Sequence, residues 1–313
     1  MQFAAPVQIV ASGADLKPGF YIDINERDYH ADPCPLPSLS ASGAKTLLFR
    51  SPKAFAWKHP RLRPAHLPPV EETWSDQAVF GTVVHKLVLG RGKDVVEVDA
   101  KDWKTNAAKI ERADITAVGK VAILKDKLVQ AKTVAHELRQ TVGYGPDTPT
   151  EVVLIWIDHA TDGTPVWCRA MLDALPEPTL IEDIKVTGAE LSDEFVARQI
   201  DGMGYDISMA WYRRGLSKLA PDLAGRIKVR LTFVERNETY DTLSRTLTDG
   251  ELHEPDVLLQ IAIDRFAACM TDGHWPGVSA SPKPVAIPNW KKRALLDAAL
   301  SEELDTIMNG ADQ

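Results

Sequence analysis

Cysteine is scarce and scattered in this chain. Cys34, Cys168 and Cys269 are odd in number, far apart and without Cys-x-x-Cys spacing. That argues against a disulfide framework or a structural zinc site and points to a reducing cytoplasm. Three cysteines in one chain also cannot ligate a four-cysteine iron–sulfur cluster. No apolar run is long enough to span a bilayer. The opening residues, MQFAAPVQIVASGADLKPG, lack the basic region and continuous apolar core of a secretory signal. Repeats and low-complexity tracts are missing too. What is left is an ordinary globular composition, 44% hydrophobic and 26% charged over 313 residues. A chain of that length can bury a sizeable core, as one large domain or one domain with appendages.

One absence is local. The net charge is −8, yet no Asp or Glu occurs from Pro33 to Val70, where Lys45, Arg50, Lys53, Lys58, Arg61 and Arg63 fall together with His59 and His66. A second basic run holds Arg213, Arg214, Lys218, Arg226, Lys228 and Arg230 against Asp222 alone. Either run could be a solvated face. Two of them in an acidic protein suggest local contact with phosphate.

Residues 1–37 read as an irregular arm. In SLSASGAKTLLFRSPKAFAWKH, Ser40 or Ser42 can cap a helix, and Pro52 splits it into two short ones. Residues 60–76 are proline-rich and read as a surface loop. QAVFGTVVHKLVLGRG predicts a buried helix ending at Gly90, with Phe80, Val84, Leu87 and Val88 inward. A longer helix is expected over about 117–141. From Glu151 the period changes to that of strands: a hairpin with Asp162-Gly163 in its turn, then a third strand, LIEDIKV. Helical spacing returns over 192–216 with a break near Gly202–Gly204. IKVRLTFVER and ETYDTLSRTL then read as a strand pair, and VLLQIAIDRFAACMTDG as an amphipathic helix stopped by Gly273. The expected fold class is α+β: a central mixed sheet with an antiparallel meander, flanked by helices.

Two acids and a lysine stand out in the meander. Asp173 lies near the end of its second strand, Asp183 and Lys185 in the third. Opposed side chains on adjacent antiparallel strands are about 4.5–5.5 Å apart, and two carboxylates at that distance repel unless a cation lies between them. Lys185 shares the face of Asp183. Two hard oxygen ligands with one ammonium suit Mg2+ or Mn2+ and metal-assisted phosphodiester hydrolysis. An edge-strand ion pair accounts for the same residues about equally well.

The surrounding segments carry a resemblance. The pattern is similar to the PD-(D/E)xK nuclease superfamily, and within it to the RecE-type, exodeoxyribonuclease VIII-like exonucleases of phages and prophages. Tyr29-His30, Ser40-Ala41-Ser42 and Arg50-Ser51-Pro52 resemble that family's opening, and FGTVVHKLVL its helix with an embedded histidine, His85. CRAMLDALPEPTLIEDIKVT resembles the catalytic hairpin and GYDISMAWYRRGL the helix behind it. GHWPGV and AIPNW resemble the tail. The similarity spans most of residues 17–290, which implies an N-terminal arm (1–37), a nuclease domain (38–290) and a C-terminal tail (291–313).

The resemblance implies roles. Asp173 and Asp183 would bind metal, with the Ile184 carbonyl as a further ligand, and Lys185 would be the catalytic lysine. His85 would be a ligand or would stand behind one; alone it reads as a core histidine. Glu151 matches a family glutamate near the metal, or is a strand-end surface charge. Ser40, Ser42 and Arg50 would hold a DNA 5′-phosphate, or simply cap helices. Lys45 and Lys53 belong to basic helices that would grip backbone phosphates. The family's Gln-x-x-x-Tyr helix is Ser208-x-x-x-Tyr212 here, so the glutamine is missing; Tyr212 faces the site or the core, while Asp206 and Trp211 read as structural. Taken together, the resemblance implies a Mg2+-dependent 5′→3′ exonuclease of double-stranded DNA ends, with Mn2+ able to substitute. It also implies a ring-shaped homo-oligomer, trimer or tetramer, and a single-strand annealing partner. A structure- or sequence-selective endonuclease on the same core and a non-catalytic DNA-binding module are the alternatives.

Overall fold

The computed structural model describes residues 8–9, 16–22, 24–67, 74–278, 289 and 293. By compactness the chain divides at Gly277. The unit beyond it, Val278–Gln313, lies almost entirely outside the described residues, as do the AIPNW segment (except Asn289) and nearly all of the expected tail.

In chain order the elements are β1 (Gln8–Ile9), β2 (Gly19–Ile22), α1 (Glu26–His30), β3 (Leu39–Ser40), α2 (Ala41–Phe49), α3 (Pro52–Lys58), α4 (Asp76–Leu89) and β4 (Val95–Val98). They continue with α5 (Asn106–Ala117), β5 (Val121–Leu124), α6 (Lys125–Val142), β6 (Thr150–His159), β7 (Pro165–Glu177) and β8 (Leu180–Thr187). The last are α7 (Asp193–Met203), α8 (Tyr205–Leu219), β9 (Lys228–Glu235), β10 (Thr242–Leu247) and α9 (Asp249–Asp272). The main sheet runs β1-β2-β6-β7-β8-β9-β10, with β3 alongside β7, and β4 and β5 form a separate parallel pair. β6, β7 and β8 are the expected antiparallel meander. β8 and β9 are parallel. Parallel neighbours need a crossover, and α7 and α8 supply it, which lays α8 across the sheet. The fold class is therefore α+β with a mixed sheet flanked by helices, as the sequence pattern predicted.

Local signals account for most boundaries. Ser40 accepts a hydrogen bond from Gly43 N and caps α2, while Ser51 accepts from Ala54 N and caps α3, with Pro52 in its first turn. Gly90 ends α4 at φ 73°, a left-handed conformation that only glycine adopts without penalty. Three expectations need correction. The expected helix over 117–141 begins only at Lys125: VAIL at 121–124 is strand β5, and α5 precedes it. Four apolar residues in a row fit either period, so only pairing with β4 decides between them. The irregular arm contains β2, which pairs with β6, and Leu16, Tyr21, Ile24 and Cys34 bury against Val153 and Ile155. The final helix starts eight residues earlier than VLLQ, at a Thr248–Glu251 capping box, with Pro255 inside it.

Two hydrophobic cores sandwich the sheet. On one face α2, α8 and α9 contribute Leu47, Trp211, Leu259 and Phe266 against Leu154, Leu172 and Leu231. On the other, α4 and α6 contribute Val83, Val84, Leu128 and Leu138 against Ala174, Ile184 and Val234. Helix α8 is fixed tightly. A side chain on Gly215 would meet the Trp156 ring at 2.7 Å. Arg214 donates to Asp158 (2.6 Å), Asp256 (3.1 Å) and Gln260 (2.5 Å), and Lys218 lies 3.1 Å from Asp158.

That network changes the reading of the second basic run. Besides Arg214 and Lys218, Arg213 pairs with Asp249, and Arg230 makes a bidentate pair with the buried Glu182. These four cations are paired with acids of the fold.

Candidate active site

Three acidic residues line up across the central strands where these lose their regularity. Thr150 faces Ala174 and Val152 faces Leu172, so Glu151 stands opposite Asp173. Ala174 faces Glu182, and the same register continued puts Asp183 opposite Asp173. Two local features turn these groups out of the sheet. Glu151 has a φ of 49°, a left-handed backbone that costs a non-glycine residue about 1–3 kcal/mol. Strand β7 also changes face: Leu172 belongs to the core under α8 and Ala174 to the core under α4, although alternate residues of a regular strand share a face. Asp173 sits at that switch.

Hydrogen bonds then fix the group. Ile184 N donates to Asp173 Oδ2 at 2.7 Å. His85, from α4, places Nε2 3.1 Å from the Ile184 carbonyl and Nδ1 3.7 Å from Asp173 Oδ2. Lys185 Nζ contacts Asp183 Oδ2, lies 3.3 Å from the Ile184 carbonyl and sits 4.8 Å from the centre of the Tyr205 ring. The histidine is thus bound to the metal-site candidates and is not a core residue.

Acids and cations act on one another across the cleft. Burial, reinforced by Asp173, raises the Asp183 carboxyl against the pull of Lys185. Burial and Asp173 likewise raise Glu151. For Lys185, burial works to lower the value, but Asp183 and then Asp173 outweigh it and hold the ammonium protonated. Burial, then the charge of Lys185, lowers Lys45. Two ammoniums, Lys185 and Lys45, thus act on the Asp183 carboxylate.

The donor set fits a hard divalent cation. Asp183 Oδ2 is buried and, apart from its contact with Lys185, has no hydrogen bond of proper geometry. Among the described residues no three His, Cys, Asp or Glu side chains are gathered closely enough to hold an ion by themselves. The Ile184 carbonyl and water would have to complete the shell around Asp173 and Asp183, as Mg2+ commonly requires.

The acids form the floor of a cleft of about 460 Å³. Ser40, Ser42, Lys45, His85, Glu151, Lys185 and Tyr212 all line it, so most of the residues singled out in sequence are brought together. Arg50 and Lys53 are not among them: Arg50 is the exposed C-cap of α2, and Lys53 lies against Gly277. Lys45 Nζ donates to Ser208 Oγ (3.0 Å), so a lysine from α2 occupies the place beside the missing glutamine.

The cleft also takes in residues to which the sequence reading gave no site role: Glu26, Tyr29 and His30 from α1, Lys86 from α4, Arg91 just after it, and Tyr205 from α8. Beside the cleft a second cavity, about 310 Å³, shares Tyr29, His30, Ser40 and Ser42 with it and adds Lys58 and Arg169. Arg169 is buried. Its Nη1 donates to Ser38 and stands 3.2 Å from Asp32, but its Nε makes no hydrogen bond. A charged residue at an inward strand position, in WCRAML, was the one available hint.

Fold and site together define a class: an α+β chain with a mixed sheet, in which an acid stands opposite an acid-x-lysine pair. No family model and no curated protein matches the sequence. Solved structures do resemble the fold. A protein from Eubacterium rectale, described as "Putative exonuclease", matches with a TM-score of 0.56 at 14% identity, over 85% of this chain and 97% of its own. A phage-related exonuclease from Haemophilus somnus 129PT (TM-score 0.27, 15% identity) covers 61% of this chain and 95% of its own. The alkaline exonuclease of Laribacter hongkongensis (0.26, 11%) covers 62% and 93%. The first likeness establishes a shared fold.

Proposed function

We propose that the protein is a Mg2+-dependent exonuclease that hydrolyses double-stranded DNA from its 5′ ends, with Mn2+ able to replace Mg2+. The observation that carries this reading is the convergence of Glu151, Asp173, Asp183 and Lys185 in one cleft. The description of the Eubacterium rectale neighbour as an exonuclease supports it.

Asp173, Asp183 and the Ile184 carbonyl would hold the ion, which would supply Lewis-acid polarisation of the scissile phosphate. His85 positions two of those groups at once, through Asp173 and through Ile184. The Lys185 ammonium, kept protonated, lies where negative charge grows on the phosphate and can orient the attacking water. Electrostatic help at that point is commonly the largest catalytic contribution. The Ser40 and Ser42 hydroxyls, 3.2 Å apart, and the Arg169 side chain belong to the cavity where a terminal 5′-phosphate would sit. Tyr212 and Lys45 line the approach of the strand. The reading extends to a ring-shaped trimer or tetramer threaded by DNA, to a single-strand annealing partner and to work in the cytoplasm. Among the described residues no helix is long and apolar enough to cross a membrane.

The test is digestion of end-labelled linear duplex with and without Mg2+. Lys185→Ala and Asp183→Ala should each stop nucleotide release while keeping the wild-type circular dichroism spectrum. Full activity in both variants would sink the site. Equal rates on 5′-hydroxyl and 5′-phosphate ends would remove the phosphate cavity, and cleavage of a covalently closed circle would make the protein an endonuclease.

A further inference from the structure

A cavity larger than the catalytic cleft opens at the β4–β5 pair and α5. Its volume is about 600 Å³, and it is lined by Trp74, Lys93, Trp103, Lys109, Arg112 and Lys120 together with small and apolar residues. Among the described residues four cations and no acid line it, in a protein of net charge −8. Each tryptophan carries a cation on its ring, Lys93 at 4.5 Å from the Trp74 centre and Arg112 at 4.7 Å from that of Trp103. Such pairs could merely hold α5 in place, and Glu26 (3.6 Å from Lys93) and Asp76 (3.0 Å from Arg112) offset part of the charge. Packing does not account for Lys109 and Lys120, which are exposed on the rim.

The cavity is also joined to the candidate active site. An intervening cavity of about 420 Å³ shares Lys93 and Gly119 with it, and Glu26, His30, Gly92 and Glu151 with the catalytic cleft. Aromatic faces alternating with cations are the chemistry that holds unpaired nucleotides: rings stack on bases, cations track phosphates, and no base identity is read. Intact duplex buries its base faces and offers nothing to the tryptophans.

We infer that the Trp74–Trp103 cavity binds single-stranded DNA, and that its occupant is the uncut strand leaving the catalytic cleft. This rests on the proposed nuclease reading only for the origin of the strand. The binding chemistry stands by itself.

The experiment measures the Kd of the full chain in EDTA for a fluorescein-labelled dT20 strand, a blunt 20-base-pair duplex and competing dTMP. Nucleotide release from duplex ends in Mg2+ is followed in parallel. Trp103→Ala should weaken dT20 binding about tenfold, within the range for loss of one stacked base. Lys109→Glu/Lys120→Glu, both at exposed positions, should weaken it at least as much and flatten its salt dependence. In Trp103→Ala, duplex binding should stay within about twofold, since the duplex makes no stacking contact. Wild-type dT20 affinity in the folded charge-reversal variant overturns the inference. So does displacement of dT20 by dTMP at equal nucleotide concentration, which would mark a mononucleotide pocket. If the wild type releases no nucleotides yet loses dT20 affinity on these changes, the nuclease reading falls and the strand site stands. Normal release with unchanged dT20 affinity leaves the nuclease standing and removes the strand site.

Discussion

Asp158→Asn is the change whose consequence can be worked furthest from the structure. Asp158 is 1% exposed on β6 and receives Arg214 and Lys218 from α8, the helix that brings Tyr205, Ser208 and Tyr212 to the cleft. Burial alone would raise its carboxyl, but the hydrogen bonds and charge of Arg214 outweigh burial and hold it at about 2, against an ordinary 3.8. A difference of nearly two units corresponds to about 2 kcal/mol of stability. Breaking a buried ion pair on one side costs about 3–5 kcal/mol. The lower end applies, because Arg214 keeps Asp256 and Gln260. The two routes converge on about 2–3 kcal/mol. Because the folded value lies below the unfolded one, this stability is present in full above about pH 4 and is lost as the pH falls towards 2. Urea unfolding of wild type and variant in EDTA, repeated between pH 7 and pH 2.5, is the assay. The curves should differ by about 2–3 kcal/mol at pH 7 and draw together in acid. A gap below about 0.5 kcal/mol at pH 7, the scale of an ordinary surface change, would refute the reasoning. Parallel curves into acid would refute it equally.

Two further outcomes are expected. Millimolar Mg2+ should raise the Tm of the wild type by preferential binding to the folded state, and Asp183→Asn should abolish that shift. A Mg2+ shift that survives in Asp183→Asn would remove Asp183 from the metal site. Gly215→Ala should cost about 1–3 kcal/mol in urea unfolding, because the new methyl would stand 2.7 Å from the buried Trp156 ring. A fully tolerated alanine would contradict the close approach of α8 to the sheet.

Local chemistry determined what was legible in the sequence. The apolar, β-branched run of β6, the caps at Ser40 and Ser51, the stop at Gly90 and the Asp183–Lys185 spacing all depend on residues a few positions apart. Backbone hydrogen bonding and side-chain period act at that range. Where a segment's conformation depended on a distant partner, the pattern misled: VAIL became β5 because β4 was there to pair with it, and the supposed arm became β2 because β6 had a free edge. The second basic run likewise resembled a phosphate-contacting surface until Asp158, Asp249 and Glu182 met its arginines.

The site divides the same way. Sequence alone determined which acids and which lysine could carry metal-assisted chemistry, since strand spacing puts Asp183 and Lys185 on one face. Tertiary structure decided the rest. Only the sheet register lines Glu151 up with both aspartates, and only packing of α4 on the sheet lets His85 reach Ile184 across 99 positions of sequence. Arg169 and the two tryptophans of the basic cleft belong to the same category. Their neighbours come from elements far apart in the chain, and an interaction set by burial and through-space charge leaves no period for a sequence to display.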